Sequence, residues 1–416
     1  MRVLWFEVTT PGRYKGEDCI IGGWQDSLET ILRGCPEIKL TIAFESISQK
    51  EQKNIDGVDY IPIFVKENRL DRIRNKWSGV EHTKKLISSA VDLVNKIKPD
   101  IIHVFGTEWL WGLIAKETTI PVVIHMQGSL IPYYNAFYPP RYSPTDVFRS
   151  SFMNIKEYAI KFFNDHRVKT FTSLEYDVYK SVNYYMGRTK WDHALVNILS
   201  PGSSYFHVEE ALRDSFFVDS TEAWKIPEGK TIRIFSTGCG SFWKGPDMLL
   251  KTASVLKNAG VNFEWLVAGN MWELMKKTVE RKERKKYECN NVRFLGYISP
   301  EEIVKLLSKS TIYAHTAYIE NSPNSICEAQ CLGVPIVSTN VGGISSLVED
   351  GKDGILVPAN DPWLMADSII SLTSDKRRML EMSKDSRKKA LARHNTENIK
   401  NQLLSCYNSI LKIGNY

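Results

Sequence analysis

Residues 320–337 read ENSPNSICEAQCLGVPIV, with seven residues between two acids, Glu320 and Glu328. A proline and small polar residues come first and an apolar run follows. This pattern predicts a loop, a helix beginning near residues 323–325, and then a buried strand. Glu320 then lies in the loop, and Glu328 lies about one turn into the helix, leaning toward its N-terminus. That end of a helix carries free N–H groups and a partial positive charge, which suit a diphosphate.

The alternation of short apolar runs and helical stretches extends over the whole chain. Strand-like runs include RVLWFEV (2–8), KLTIAFES (39–46), PVVIHMQG (121–128), TIRIFSTG (231–238) and VPIVSTN (334–340). Helices between short β-branched runs predict parallel sheets covered on both faces, hence two doubly wound α/β domains. The predicted boundaries are a first domain at 1–215, a linker at 216–230, a second domain at 231–395, and a C-terminal helix at 396–416 that returns to the first domain.

Composition restricts the class of protein. The 416 residues suffice for two domains, and 43% hydrophobic with 25% charged residues is ordinary globular composition. Seven cysteines form no CxxC pair, which favours a reducing cytoplasm. The N-terminal segment does not resemble a signal peptide, and no stretch approaches the ~20 apolar residues that span a bilayer. Any membrane contact is therefore expected to be peripheral.

The net charge of +6 has a local excess in KKTVERKERKKYE (276–288). At helical spacing this run mixes signs, so its simplest interpretation is a solvated helix face. The alternative is a patch that attracts anionic lipid headgroups or phosphates. A nucleic-acid partner is not expected, because no nucleic-acid-binding motif accompanies the charge.

Two glycine-rich stretches and a histidine are candidate ligand sites. STGCGSFWKG (236–245) is neither a dinucleotide fingerprint nor a Walker A loop, but it carries Lys244 into a helix N-terminus, which suits an anion. Gly22 and Gly23 precede another helix, where glycine either admits a ligand close to the backbone or only makes a tight turn. His125 ends a strand beside MQGS and is either a ligand contact or a hydrogen-bonded core residue.

Together these features suit a sugar nucleotide. Ligands of doubly wound sheets bind outside the carboxyl ends of the strands, and with two domains the cleft between them is the expected site. A helix N-terminus would take the diphosphate, and a carboxylate on either side of it would accept hydrogen bonds from sugar hydroxyls.

The chain resembles retaining GT-B glycosyltransferases of family four, including enzymes of bacterial surface-polysaccharide pathways. The resemblance rests on Glu320 and Glu328, followed by AQCLGVP (329–335) and STNVGGISSLVEDGKDGILVP (338–358). The Gly22–Gly23 pair, His125 and Lys244 match further landmarks of that family. The resemblance implies a GT-B fold, with two Rossmann-like domains facing across a cleft. It also implies transfer of a sugar from a nucleotide diphosphate sugar, of UDP or GDP type, to a glycan or lipid-linked glycan.

The resemblance also implies roles for individual residues. Glu320 would hold the hydroxyls of the transferred sugar, and Glu328 would bind the ribose. Lys244 and the backbone of Asn324, Ser325 and Ile326 would stabilise the departing diphosphate. Gly22 and Gly23 would approach the phosphates, His125 would contact the donor near the reacting carbon, and Gly296 and Tyr297 would hold the base. The family needs no metal and no other cofactor, and no DxD motif follows a strand here.

The sequence departs from the family pattern in two places. Many members carry an arginine shortly before the lysine, whereas TGCGSFWKG has none; Arg188, in GRTKWD (187–192), is one candidate replacement. The usual ESFG after the first acid reads ENSPN, so the sugar pocket is expected to differ. Aromatic residues in GTEWLWG (106–112) and SLIPYYNAFYPPRYSP (129–144) either stack on an acceptor or simply pack.

Other functions remain open from the sequence. A GT-B sugar-nucleotide epimerase would need a larger acid–base set. A non-catalytic nucleotide- or glycan-binding module would be expected to lose Glu320, Glu328 or Lys244, and all three are present. The broken glycine motif disfavours a nicotinamide oxidoreductase.

Overall fold

The computed structural model describes residues 1–16, 23–151 and 155–413. The chain forms two compact units. The first unit comprises Met1–Tyr134, Lys161–Arg213 and His394–Tyr416, and the second comprises Asn135–Ile160 and Asp214–Arg393. The structure thus divides the chain differently from the sequence prediction at residues 135–160, which fold with the second unit. The predicted linker at 216–230 also falls inside that unit.

Strands in the described ranges build one sheet in each unit. Those of the first unit are β1 (Arg2–Glu7), β2 (Lys39–Ser46), β3 (Lys53–Ile55), β4 (Val58–Phe64), β5 (Ile101–Phe105), β6 (Val122–His125), β7 (Tyr184–Gly187) and β8 (Ser204–His207). Those of the second are β9 (Ile232–Thr237), β10 (Phe263–Ala268), β11 (Val292–Gly296), β12 (Ile312–His315), β13 (Ile336–Thr339) and β14 (Ile355–Val357).

Helices connect the strands. They are α1 (Gly12–Lys15), α2 (Trp24–Arg33), α3 (Arg69–Trp77), α4 (Val80–Ile97), α5 (Leu130–Asn135), α6 (Pro144–Ser150), α7 (Ile155–Ser181), α8 (Lys190–Leu199), α9 (Pro246–Asn258), α10 (Glu273–Glu283), α11 (Pro300–Ser308), α12 (Asn324–Leu332), α13 (Ile344–Leu347), α14 (Pro362–Ser374), α15 (Lys376–Arg393) and α16 (Thr396–Ile413). Short 3-10 turns lie at Trp111–Lys116, Asp214–Phe216, Phe242–Lys244 and Glu288–Asn290. No helix in these ranges is both long and apolar enough to cross a bilayer.

Both sheets have the doubly wound order. The first runs β3-β4-β2-β1-β5-β6-β7-β8, parallel except for β3, and the second runs β11-β10-β9-β12-β13-β14, parallel throughout. Each order reverses beside its first strand, between β1 and β5 and between β9 and β12. Ligands of such sheets bind at the carboxyl ends of the strands near these points. The two Rossmann-like domains predicted from the sequence are confirmed.

The central strand of the first sheet is buried on both faces. Val3 and Trp5 belong to one apolar cluster, and Leu4 and Phe6 belong to the cluster on the opposite face. Successive side chains of a strand point to opposite faces, so a continuous apolar run such as VLWF can only be accommodated between two layers of helices. Helices α2 and α16 contribute to the first cluster, and α4 and α7 to the second.

The last helix, α16, is fixed to the first sheet by a buried hydrogen-bond network. The Tyr407 hydroxyl accepts the indole N–H of Trp5 at 3.1 Å and lies 2.6 Å from His103 Nδ1. Burial lowers the pKa of His103 to about 3, so the neutral ring accepts the Tyr407 proton. All three side chains have no solvent exposure. The network therefore specifies where α16 docks, in addition to the apolar contacts.

We expect Tyr407→Phe to destabilise the first unit by about 1–3 kcal/mol, because it leaves the Trp5 N–H and His103 Nδ1 buried without partners. Urea unfolding followed by tryptophan fluorescence measures this loss. Ser409→Ala is the control on the same helix, since its exposed hydroxyl only donates to the Ser405 carbonyl. Equal stability of the two variants would contradict the proposed role of the network.

Candidate functional site

Three loops meet around Glu320 at the carboxyl ends of β9, β12 and β13. The Tyr318 N–H donates to the Trp243 carbonyl at 2.7 Å, and the Thr316 hydroxyl donates to the Lys244 carbonyl at 3.1 Å. On the other side, the Gly343 N–H donates to the Glu320 carbonyl at 2.9 Å. The loop after β12 is therefore bonded to the loops after β9 and β13, and its backbone position is fixed on both sides.

Two glycines make this close packing possible. Gly245 has φ +71° and Gly342 has φ +54°, both in the left-handed region. A Cβ on Gly245 would lie 1.8 Å from the Thr316 carbonyl oxygen, and one on Gly342 would lie 1.8 Å from the Glu320 carbonyl oxygen. Neither conformation nor space permits a side chain at these two positions. Glycine here is a requirement of the loop packing.

The Lys244 ammonium forms an ion pair with the Glu320 carboxylate. The Lys244 side chain is 31% exposed, whereas that of Glu320 is 6% exposed. His315 Nε2 lies 3.6 Å from the same carboxylate oxygen. Burial raises the pKa of Glu320, but the charge of Lys244 and the His315 ring outweigh this effect and lower it to about 2. Glu320 is therefore ionised at neutral pH, and the pair presents a partly exposed cation.

Helix α12 begins directly after this loop. Its first residue is Asn324, followed by Ser325 and Ile326, as the sequence predicted. Glu328 is the fifth residue of the helix and is 5% exposed. The N-terminal end of a helix carries a partial positive charge from its aligned peptide dipoles. The second unit therefore combines a helix N-terminus and two buried carboxylates within residues 320–328 with the Lys244 cation paired to Glu320.

Gly296 and Tyr297 lie at the end of β11, also in the second unit. The carbonyl of Gly296 accepts the Gly269 N–H at 2.8 Å, which joins the ends of β10 and β11. Tyr297 is 83% exposed, so its ring is free to cover a planar group. Among the described residues, no hydrogen bond or ion pair joins either residue to Lys244 or Glu320. Their predicted role in holding the base stays a prediction.

In the first unit, His125 is completely buried. The Trp24 ring packs against it at 4.8 Å between centroids, and His103 lies 5.4 Å away. Burial, with His103 and Arg188 nearby, lowers the pKa of His125 well below its ordinary value, so the ring is neutral. Neither ring nitrogen has a hydrogen-bond partner among the described residues. Contact of His125 with a donor would require Trp24 to move aside.

Gly23 is the N-cap of α2, with φ −87°. An added Cβ would meet no atom within 4 Å, so the fold itself does not require glycine at this position. A ligand approaching the backbone would supply such a requirement. Gly22 lies outside the described residues.

Arg188 has a structural setting in the first unit. Its guanidinium pairs with the buried Glu210 at 2.6 Å, donates to the Met126 carbonyl at 3.0 Å and stacks on the Trp24 ring. With its side chain 2% exposed, Arg188 is engaged inside the unit. This arrangement weighs against the suggestion that it replaces the missing phosphate-binding arginine.

Sequence reasoning missed two neighbours of the predicted site residues. His315 beside Glu320 is the last residue of β12, and its place at the carboxyl end of a strand was an available signal. Trp24 follows the glycine pair directly, but nothing local indicates that its ring covers His125. In the described ranges, no group of three or more histidine, cysteine, aspartate or glutamate side chains is placed to hold a metal ion.

Comparison with protein families agrees with this arrangement. Residues 219–389, within the second unit, match the family described as Glycosyl transferases group 1. The second unit is therefore similar to a group 1 glycosyl transferase domain. The chain is also 35% identical over 119 residues to a D-inositol 3-phosphate glycosyltransferase of Corynebacterium urealyticum, covering 29% of this chain and 28% of the relative.

Two further similarities are informative. A Salmonella typhimurium protein named for colanic acid biosynthesis, glycosyltransferase WcaL, is 28% identical over 176 residues, covering 40% of this chain and 42% of WcaL. The chain thus spans less than half the length of these curated relatives. The structure of Anabaena Alr3699/HepE in complex with UDP-glucose aligns with a TM-score of 0.67 at 15% identity, covering 98% of this chain and 100% of that one. The predicted GT-B fold class is confirmed.

We expect Gly342→Ala to displace the Glu320 loop and to destabilise the second unit by at least ~3 kcal/mol, since the new Cβ would overlap the Glu320 carbonyl oxygen. Gly351→Ala is the matched control: its φ is +77°, but its Cβ would meet no atom within 4 Å. It should lose only the ~1–2 kcal/mol of left-handed strain. Chemical unfolding of both variants measures the difference, and equal losses would contradict the packing argument.

The Glu320 pair should also be visible in the pH dependence of stability. Because the pKa of Glu320 is lowered from 4.5 to about 2, its stabilising contribution is full above pH 4.5 and is lost as the pH falls toward 2. The free energy of unfolding of wild type minus that of Glu320→Gln should shrink over this interval. Glu222→Gln, at an exposed position, is the control and should follow the wild type. A difference independent of pH would refute the ion pair.

Proposed function

We propose that this chain, whose second unit is similar to a group 1 glycosyl transferase domain, transfers a sugar from a nucleotide diphosphate sugar to a glycan or lipid-linked glycan with retention of anomeric configuration. The observation that carries the proposal is the Lys244–Glu320 pair at the N-terminal side of α12. It combines a cation for a leaving diphosphate with a carboxylate for a sugar in one rigid loop system. In many enzymes, preorganised charge of this kind lowers the activation barrier more than any other single effect.

The two carboxylates have different tasks in this mechanism. Glu320, held ionised by Lys244, accepts hydrogen bonds from the hydroxyls of the transferred sugar. Glu328, buried in the first turns of α12, accepts hydrogen bonds from the ribose diol. Hydrogen bonds to an ionised acceptor are roughly twice as strong as neutral ones. The hydrogen bonds to Glu320 and Glu328 orient the anomeric carbon of the donor over the first turn of α12.

Charge balance explains why Lys244 is needed. As the glycosidic bond breaks, negative charge grows on the diphosphate, and two carboxylates nearby would oppose that change. The Lys244 ammonium and the positive end of the α12 dipole, at the backbone of Asn324, Ser325 and Ile326, offset the repulsion. Since Arg188 is engaged with Glu210, the diphosphate would depend on Lys244 and α12 for most of its stabilisation within the second unit.

The remaining parts of the proposal follow the family resemblance. The acceptor hydroxyl attacks the anomeric carbon from the face on which the diphosphate leaves, without a protein nucleophile. The bond to the diphosphate breaks, and the departing phosphate oxygen takes the hydroxyl proton. No metal or other cofactor takes part. Gly22 and Gly23 contact the donor phosphates, His125 contacts the donor sugar once Trp24 has moved aside, and Gly296 and Tyr297 hold the base. The acceptor is a surface polysaccharide intermediate at the cytoplasmic face of a membrane, with which the chain associates peripherally. UDP-glucose bound to HepE makes a UDP sugar the first donor to test.

Nucleotide binding tests the donor site first. Thermal shift of the purified chain is measured with UDP, GDP and ADP and with their sugar conjugates, in the presence of EDTA. A ligand at a hundred times its dissociation constant should stabilise the fold by ~2.7 kcal/mol. A shift with UDP or GDP compounds supports the donor assignment. If the melting temperature does not change with any of the nucleotides, the donor assignment is refuted.

Turnover of the bound donor then tests the site residues. Glu320→Gln and Lys244→Ala should each lower transfer at least ~100-fold, the loss of a few kcal/mol of transition-state stabilisation, while the fold stays intact. Lys309→Ala and Glu222→Gln, both at exposed positions, are the matched controls. Near-normal turnover in both site variants would overturn the assignment. The anomeric configuration of the product, read by NMR, tests retention.

The same measurements separate the alternatives. A binding module would bind the nucleotide sugar without turnover under any acceptor condition. An epimerase would change the donor sugar without any acceptor.

A further inference from the structure

A strongly basic groove lies on the second unit, away from the Lys244–Glu320 pair. It encloses about 820 Å³ between α6, the start of α7, the end of α9, one side of α10 and the residues that follow α10. Helices α9 and α10 follow β9 and β10, so their C-terminal ends lie toward the amino edge of the sheet. The candidate site lies at the carboxyl edge. The groove therefore needs an explanation of its own.

The charge of this groove is only partly neutralised. Seven cationic side chains and two carboxylates line it. Lys286 pairs with Glu280 at 3.0 Å, and Lys277 lies 3.5 Å from Glu273. In contrast, within the described ranges no carboxylate lies within 4 Å of the charged groups of Arg149, Arg281, Arg284 or Lys285. These four cations come from two separate segments of the chain. We call them the free cations of the groove.

Folding brings the two segments together. On one side, Arg149 belongs to α6, and on the other the remaining free cations belong to α10 and the residues after it. Lys282 pairs with Asp146 at 2.9 Å, and the Tyr142 hydroxyl donates to Glu283 at 2.7 Å. These contacts hold α6 on α10 and thereby concentrate like charges. A protein that gained nothing from such a concentration would lose stability through their repulsion.

Two exposed apolar side chains lie close in sequence to residues that line the groove. Phe148, next to Arg149, is 59% exposed, and Ile155, two residues before the groove residue Glu157, is 75% exposed. The Phe148 ring packs on Tyr158 with 5.1 Å between centroids, so it is held at the surface. Water solvates exposed cations well but not exposed rings and branched aliphatic chains. The partner of this surface must therefore satisfy both.

We propose that this groove, with Phe148 and Ile155, docks the second unit on the surface of a lipid bilayer that contains anionic headgroups. Headgroup phosphates neutralise the free cations, and the interfacial layer takes up the two apolar side chains. A soluble polyanion such as an acidic glycan would match the cations but would leave both apolar side chains in water. The proposal identifies the face that would meet a membrane, and its test does not depend on the proposed transferase activity.

Vesicle co-sedimentation of the full chain tests the proposal. Vesicles of phosphatidylcholine alone are compared with vesicles that also contain phosphatidylglycerol. The chain should bind only the second kind, and added salt should weaken binding by screening. Each surface cation contributes about 1 kcal/mol to such binding, so Arg281→Gln/Arg284→Gln should lower the partition coefficient about 30-fold. Phe148→Ser/Ile155→Ser should lower it at least about tenfold.

A matched control removes the same charge elsewhere. Arg378→Gln/Lys384→Gln deletes two cations from exposed positions of α15 and should lower the partition coefficient far less than 30-fold. The melting temperature of every variant, measured without lipid or nucleotide, verifies folding. If the wild type does not bind nucleotides, this counts against the proposed function alone, and the vesicle result still stands.

Three outcomes would overturn the docking surface. They are equal binding to neutral and anionic vesicles, equal weakening by the groove and α15 variants, and binding of heparin without binding of anionic vesicles. Cys289 provides a second measurement, since it is exposed and lines the groove. An environment-sensitive probe is attached to the thiols of the wild type and of Cys289→Ser, and the second signal is subtracted from the first. The difference should report a more apolar environment when phosphatidylglycerol vesicles are added. If the signal of the probe does not change, the proposal is contradicted.

Discussion

The candidate site depends on one constraint, the contact of three loop backbones around the Glu320 carbonyl. Gly245 and Gly342 allow the neighbouring loops to approach the loop after β12 more closely than any side chain would permit. That approach positions Lys244 against Glu320 and sets the direction in which α12 begins. The side chains with chemical roles are therefore fixed by residues that have no side chain at all. The surrounding parallel sheet supplies the edge on which the loops rest.

Much of this arrangement was predictable because its signals are local. The start of α12 at Asn324 follows from the proline and polar residues before an apolar run. The last helix was predicted within residues 396–416 and is observed at Thr396–Ile413. The seven-residue spacing of Glu320 and Glu328 places one acid in a loop and one in a helix. Periodicity over short windows thus sufficed for the sheets, whereas the roles of the candidate residues come from the family resemblance.

Features that depend on distant pairing were not predictable. The partner of Glu320 lies 76 residues earlier in the chain, and no local pattern in either segment indicates the ion pair. The cover of Trp24 over His125 and the engagement of Arg188 with Glu210 arise in the same way. Residues 135–160 join the second unit through Tyr142 and Asp146, whose contacts on α10 are individually ordinary. Such choices follow from packing and charge in three dimensions.

The position of α16 has a consequence for biosynthesis. A ribosome completes β1 and β5 early, yet Trp5 and His103 obtain their shared partner only when Tyr407 has emerged, after every residue of the second unit. The second unit, whose last residue is Arg393, can close while this face of the first sheet still lacks its helix. Until α16 is made, the part of this apolar face that α16 covers therefore lacks its partner. The first unit is completed only when α16 has been synthesised.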